Sequence, residues 1–599
     1  MNNKTLTLAI SLACTFTLPG CSSGQDSVGT DDNSGDDNTS RVSSITRSSQ
    51  GINEDAQGRR DQARDRVGRN NFRDNKQGFR EIRSYDGTSN NIDHPLWGAT
   101  WEHLQRIAPS DYSDGISSLA GATRPSARVI SNLIVNQDAG VSIPNQYGTS
   151  DFLWQWGQFI DHDIDLTDGS TNEAENIIIP AGDAFFDPDE SGAMVMDFNR
   201  AIYDMETGTG TNNPRQQENE ISSWIDGSMI YGSDEERNSA LRLSDNSPYL
   251  ASSAENLLPL NVDDLTNASG FISDTTSLFL AGDVRANESV VLTAIHTLWM
   301  REHNRIAQLL EQQSRRDNNN DSGQDIFEQA RRLVIAKIQK ITFDEYLPAL
   351  LGDNTMPSYN GYKDNINPTI YNEFSSAAYR LGHSEIGDTV LRLDANGNEI
   401  TSGNLALRDA FFSGINLLKN ENDIDPLLMG LANQSHQAID VQVVNDLRNF
   451  LFGSPGQGGF DLVSLNIQRG RDTGLSSYNA TRVAMGLTRV NSFSDITSNT
   501  ALQESLQASY GSVDDIDLWV GGLAEDPLSG QGSQLGELFT YIVVQQFDEL
   551  RAGDRFWYEN YLTNSELEIV KETTLAKVIR DNTDISGELQ DQVFFVPEK

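Results

Sequence analysis

Two long amphipathic runs, Val290–Glu311 and Asp325–Thr342, set the character of the fold. Apolar residues recur through both at three- and four-residue intervals, which marks one face of an α-helix. Neither run suits a β-strand, whose mean length is about 5–6 residues. Helical stripes recur at Thr149–Leu166, Leu535–Arg551 and Leu567–Arg580. Strand signals are few. The clearest is Val390–Ile400, where Asn396-Gly397 interrupts an alternating pattern as in a tight hairpin. No repeat of 20–50 residues is visible. The pattern predicts a mainly α fold with long loops and few short β-hairpins.

The N-terminus reads differently. Lys4 precedes a short apolar run, Leu6–Phe16, well under the roughly 20 residues of a membrane span. A cleaved export signal fits it. Leu18-Pro19-Gly20-Cys21-Ser22 resembles a bacterial lipoprotein box, the alternative being an ordinary signal peptide with an incidental cysteine. On the lipoprotein reading, residues 1–20 are the signal peptide and Cys21 becomes a lipidated N-terminus. Residues 21–79 then form a polar tether with too little apolar content to fold alone, and 80–599 form the folded body. The chain is thereby expected to be exported and anchored to a bacterial cell envelope, with Ser22 favouring the outer membrane. The only cysteines are Cys14 and Cys21, so the mature body has no disulfide and relies on packing, metal or cofactor. A net charge of −43 argues against nucleic acid or an anionic lipid surface as partner, because both need a basic footprint.

Four segments carry chemistry. In Trp154–Asp165, Gln158, Asp161 and His162 stand at i, i+3 and i+4 and share a helix face, with Asp163 rotated about 100° onward. A solvated acidic helix end is the plain reading. The flanking Trp154, Trp156, Phe159 and Ile160 want burial, however, and buried imidazole and carboxylates need partners. Arg285, Glu288 and Ser289 repeat the i, i+3, i+4 spacing. Arg380 lies three residues before His383, and Asn466 lies close to Arg469 and Arg471. Taken singly, Arg285–Glu288 reads as a surface ion pair and His383 as a core histidine. His296 and His303, seven apart, lack the spacing of a zinc-protease motif, and His94, His103 and His436 read as surface or packing residues.

Together and in order, Trp-Gly-Gln-x-x-Asp-His-Asp, Ala-Gly-Asp-x-Arg-x-x-Glu, Arg301-Glu-His-Asn-Arg305, Leu-Asn-x-Gln-Arg-x-Arg-Asp and Arg551-Ala-Gly-Asp-Arg-Phe-Trp557 resemble the animal haem peroxidase superfamily over about Ile82–Ile585. The resemblance implies a haem b buried between helices and reduction of hydrogen peroxide through compound I. Small anions (bromide, iodide, thiocyanate) or phenols would be the donors. It implies His162 as distal histidine, Arg285 as distal arginine and Gln158 in the peroxide and halide pocket. His383 is implied as the iron ligand, with Asn466 accepting a hydrogen bond from its second nitrogen. Arg380 and Arg469 are implied partners of the propionates, and Asp161 and Glu288 the carboxylates esterified to haem methyl groups. It also implies a calcium ion held by Asp163, Ser222, the Trp224 carbonyl, Asp226 and Ser228, whose oxygens suit a hard cation. The loop from Asp187 begins like an EF-hand but has Phe198 at its twelfth position and is rejected. Fatty-acid dioxygenases and cyclooxygenases share the fold. They place a tyrosine three residues before the proximal histidine, where this chain has Arg380. A non-catalytic surface protein with the same fold is the third reading; it predicts lost site residues, and none is missing.

Overall fold

The helical periodicity is realised as packed helices in this computed structural model, which describes residues 81–597 except 271, 529 and 531. The signal, Cys21 and the tether lie outside the described residues. The helices that build and support the site are α1 (Phe152–Ile164), α2 (Ser228–Tyr231), α3 (Val290–Arg316), α4 (Gly323–Ile341), α5 (Gly382–Glu385), α6 (Leu462–Asp472), α7 (Glu537–Ala552), α8 (Asn564–Lys571) and α9 (Leu575–Asn582). The Ser289 side chain caps α3 by accepting from Leu292 N, and a reciprocal Ser322–Asp325 capping box opens α4. α3 runs a turn past Glu311 and ends on Arg315 and Arg316, whose charge suits a helix C-terminus. One C-terminal helix is expected over Leu567–Arg580, but the chain breaks there into α8 and α9. Thr574 leaves the helix to cap α9, its side chain accepting from Lys577 N.

The strands form antiparallel pairs only. β1 (Glu102–His103) joins β6 (Glu218–Asn219), and β2 (Gly169–Ala174) joins β5 (Asn199–Ala201). β3 (Ile177–Ile178) joins β4 (Val195–Met196), and β7 (Thr389–Val390) joins β8 (Leu405–Ala406). The Asn396-Gly397 turn is present, with Gly397 at φ +76°, but its ladder shrinks to one Leu393–Glu399 bridge. The Asp394 carboxylate accepts from Asn396 N and Asn398 N at 2.8 and 2.9 Å, tying up the donors of the turn itself.

An aromatic cluster fixes α1 against α3. Trp156 and Phe159 lie 5.9 and 6.3 Å from Trp299, ring centre to ring centre, and Phe594 closes on Trp156 at 6.2 Å. Such pairs add about 0.5–1.5 kcal/mol each beyond burial. They hold rigid the helix that carries Gln158, Asp161, His162 and Asp163.

Buried His303 on α3 accepts at Nδ1 from Tyr231 (2.9 Å), with Nε2 3.1 Å from the Pro248 carbonyl. Burial pushes its pKa down to about 3. In the unfolded chain the ring protonates below about 6.5, so stability falls as pH drops from there toward 3, by about 1.4 kcal/mol per pH unit. Urea melts at pH 7.5 and 5 are expected to show His303→Gln losing less stability between the two than the wild type, the other buried histidines keeping their share of the slope.

Candidate active site

His162 lies on the buried face of α1, its Nδ1 3.5 Å from Asp283 Oδ1 and without a hydrogen bond. Burial first, and the Arg285 charge second, hold its pKa well below the ordinary value. The ring is therefore neutral at pH 7 and free to accept a proton.

Arg285 is clamped. Its Nε donates to Asp283 Oδ1 and its Nη2 to Asp283 Oδ2, both at 2.9 Å, and Nη2 also reaches the Asp165 carbonyl at 2.9 Å. Nη1 lies 3.8 Å from Asp161. Burial opposes both charges, but the pairing wins: Asp283 sits well below the usual carboxylate range and Arg285 above the usual arginine value. Asp283 is the residue that sequence reasoning passed over. It stands in the quoted Ala-Gly-Asp-x-Arg motif without a role, yet it fixes the arginine and faces the histidine. A Cβ on the preceding Gly282 would lie 2.2 Å from the Ser228 carbonyl, so only glycine lets this loop seat against α2. Asp283 N donates to the Met229 carbonyl at 3.1 Å and completes that contact.

The helical spacing read for Arg285, Glu288 and Ser289 is corrected. Glu288 N donates to the Arg285 carbonyl in a turn, and the helix starts only after Ser289. The turn still brings Glu288 to the site, where Gln158 Nε2 reaches its Oε2 at 3.5 Å. Burial pushes Glu288 up to about 7, helped by Asp283 and Asp168 and opposed by Arg285. Asp161 also rises to about 7, by burial and then the Asp165 charge.

On the other side, Asn466 on α6 meets His383 on α5 at 2.8 Å, but in the reverse sense to that expected. Asn466 Nδ2 donates to His383 Nδ1, because Arg380 Nη1 donates to Asn466 Oδ1 at 3.3 Å and orients the amide. A half-turn of the amide would let it accept instead and leave Nε2 free for a metal. Burial pushes His383 down to about 3, so the ring stays neutral at pH 7. Arg380 donates Nε to the Ser375 carbonyl at 2.9 Å; burial and then the Arg469 charge depress it. Arg469 donates to Asp472 at 2.8 Å and lies over Phe198, 4.5 Å from the ring centre.

These residues fit a haem. They offer two neutral imidazoles, two mutually repelling guanidiniums that suit propionates, and two carboxyls whose pKa values burial raises to about 7. Tyr379 is hydrogen-bonded to Tyr346, OH to OH at 3.1 Å, beside Arg380 in sequence.

Asp163 points away from this pocket into the 222–228 loop. It accepts from Ser228 Oγ at 2.9 Å and Gly227 N at 3.1 Å, while Ser222 Oγ and Ser228 N donate to Asp226 at 2.8 and 3.1 Å. Trp224 is buried between them in sequence. Burial and the Asp226 charge raise Asp163 to about 8, and burial raises Asp226 to about 6 against Arg83 and Arg331. Among the described residues, no group of three or more His, Cys, Asp or Glu is arranged to hold a metal. A cation here would draw on hydroxyl and carbonyl oxygens beside these two carboxylates. The rejected loop is closed on itself: Asp187 accepts from Ser191 N, Ser191 Oγ and Gly192 N.

Comparison with known proteins gives one direction. Residues 82–594 match the family model for animal haem peroxidase. Peroxinectin A of Dictyostelium discoideum is 37% identical over 86% of this chain and 96% of its own length. The human peroxidasin homolog is 34% identical over 86% of this chain but only 38% of its own length, so the chain spans about two fifths of that relative. Among solved structures, peroxidase A from Dictyostelium discoideum superposes with a TM-score of 0.78 at 35% identity, over 86% of this chain and all of that one. A fatty acid alpha-dioxygenase from Arabidopsis thaliana, 21% identical over 86% of this chain and 83% of its own, shares the fold with a TM-score of 0.70.

Proposed function

We propose, from the premise that this chain belongs to the animal haem peroxidase family, that it reduces hydrogen peroxide with a bound haem b and oxidises bromide, iodide, thiocyanate or phenols. The observation that carries the reading is the neutral His162 beside the clamped Arg285 and Asp283. The haem, held by His383 with Arg380 and Arg469 at its propionates, supplies the redox chemistry when bound. His162 takes the proton from one peroxide oxygen and returns it to the departing one. Arg285, fixed by Asp283, stabilises the charge that develops on the departing oxygen. A donor screen of the haem-loaded protein with peroxide tests this: turnover with iodide, bromide or thiocyanate supports the reading, and no peroxide-dependent oxidation of any donor overturns it. Arg380, three residues before His383, favours it over a dioxygenase.

The haem would be covalently held through Asp161 and Glu288. Mass spectrometry of haem peptides after peroxide treatment is expected to show two ester links, and acid-acetone to leave the haem on the chain. Freely extractable haem would contradict this. Related peroxidases with Met after the second carboxylate form a sulfonium link, but here Ser289 stands there and caps α3. The ring should therefore be less electron-poor, and the drive toward chloride weaker than toward bromide, iodide or thiocyanate.

Asp163, Ser222, Trp224, Asp226 and Ser228 would hold calcium one residue from His162. Exhaustive chelation is expected to lower both melting temperature and turnover. Retention of both after the ion is lost would separate that site from catalysis. Export and lipid anchoring at Cys21 complete the proposal. No helix among the described residues is long and apolar enough to cross a membrane, so anchoring would rest on the lipid.

A further inference from the structure

The Arg551–Trp557 motif has no part in the site described above, yet it ends on a ring that can be oxidised. Trp557 is 1% exposed, and its Nε1 donates to Glu559 Oε1 at 3.3 Å. Trp156 donates instead to the Thr342 hydroxyl at 3.2 Å, and Trp224 and Trp519 to the Gly87 and Arg380 carbonyls at 3.1 and 3.3 Å. The difference is chemical. An indole that loses an electron becomes a strong acid. A carboxylate can take its proton, whereas a hydroxyl or an amide carbonyl cannot hold one. Glu559 is exposed, so that proton can exchange with water.

Packed rings join Trp557 to the site. Phe343, in the π-helical turn Thr342–Tyr346 that continues α4, lies 4.9 Å from Trp557, centre to centre. Phe547 on α7 lies 6.1 Å from Phe343, and Tyr379 lies 5.6 Å from Phe547. These separations are those of aromatic rings in contact. Electron tunnelling falls steeply with distance and is fastest through contacting atoms. The series ends at Tyr379, beside the Arg380 that orients Asn466 at 3.3 Å. The two phenylalanines are too hard to oxidise to hold a charge, whereas Trp557 and Tyr379 can. On the outer side, half-buried Tyr558 lies 5.1 Å from Trp557, where the Asp344 and Glu559 charges outweigh that of Arg551. Arg551 stands over Tyr359, 5.6 Å from the ring centre, and disfavours a positive charge on that side.

We propose that Trp557 is a redox-active residue that, with Tyr558 as its outer edge, oxidises phenolic donors too large to enter the buried site. The inference rests on the peroxidase reading above. Trp557 gives one electron inward, past Phe343, Phe547 and Tyr379, to the cofactor that peroxide has oxidised, and its N–H proton to Glu559. A phenol at Tyr558 then returns one electron and Glu559 returns the proton, while the phenolic proton passes to water. Two such turns supply the two electrons and two protons that convert one peroxide to two waters.

Electron paramagnetic resonance of the full-length, haem-loaded protein, frozen rapidly after mixing with peroxide alone, tests this. The wild type is expected to show a tryptophan radical whose hyperfine splitting changes when the protein is grown on ring-deuterated tryptophan. Trp557→Phe is expected to lose that signal. Its oxidation of tyramine linked to dextran is expected to fall further than its oxidation of iodide. A protein radical unchanged by deuteration or by Trp557→Phe overturns the proposal, and so does an equal loss with both donors. Should Trp557→Phe not fold, the exposed Glu559→Gln decides: it is expected to lose the signal of the deprotonated indole radical, and an unchanged signal overturns the proton step and the proposal with it. A haem band that responds to peroxide without any tryptophan radical sinks this inference alone, whereas a haem band indifferent to peroxide sinks the peroxidase reading as well.

Discussion

His162→Ala is expected to keep its haem and lose at least ~10²-fold of its rate of reaction with hydrogen peroxide, the usual contribution of a positioned acid–base group. The substitution removes the acid–base group and leaves His383 and Asn466 untouched, so binding and proton transfer separate cleanly. Burial and the Arg285 charge make the ring a neutral acceptor near pH 7, and no other imidazole shares that position: His296, buried behind Phe159 at 5.1 Å between ring centres, is held in the aromatic packing. Stopped-flow mixing with peroxide reads the rate directly, and the haem absorption band before mixing confirms that the cofactor is bound.

Asp283→Asn is expected to cost both stability and rate. The carboxylate is almost wholly buried and grips Arg285 with two 2.9 Å hydrogen bonds. Removing one partner of a buried ion pair costs about 3–5 kcal/mol, because the other charge is left uncompensated. With its orienting partner neutral, Arg285 should also stray from the peroxide pocket, so the rate falls even at temperatures where the variant stays folded. Denaturant melts and peroxide kinetics on the same preparation separate the two effects. The pairing lowers the folded-state pKa of Asp283, so its stabilisation is present above the ordinary carboxylate pKa, about 3.9, and is lost only as pH falls below that through the depressed value. Asp283's own ionisation therefore adds no pH dependence between pH 5 and 8, and a change there in the stability difference between wild type and Asp283→Asn reports Glu288 and Asp161, whose pKa values Asp283 helps to raise.

Much of this was legible in the sequence because local spacing survives folding on a rigid helix. Gln158, Asp161 and His162 share a face of α1 as their i, i+3, i+4 spacing requires, and Asp163 points elsewhere. Arg285 and Glu288 reached the site by a different route. Their spacing also fits a turn, and it is the turn that forms, because Ser289 caps the helix that follows. Asp283 was not legible because its importance is a tertiary fact: it depends on Gly282 admitting the Ser228 carbonyl and on His162 arriving from 121 residues away along the chain. The Asn466 amide shows the same limit. Sequence gives the residue, whereas its orientation is set by Arg380, which arrives from another segment. The C-terminal break at Thr574 and the shortened ladder after Val390 both trace to side chains that bond the backbone more favourably than the regular element would.

The central claim is that one buried site binds haem at His383 and directs peroxide to His162 and Arg285. The most direct measurement is peroxide consumption with iodide by the purified, haem-loaded full-length chain, alongside His162→Ala and His383→Ala. The account predicts about one haem per chain and rapid turnover in the wild type, haem without rapid turnover in His162→Ala, and loss of bound haem in His383→Ala. Wild-type turnover retained in His162→Ala, or haem retained in full by His383→Ala, would contradict it.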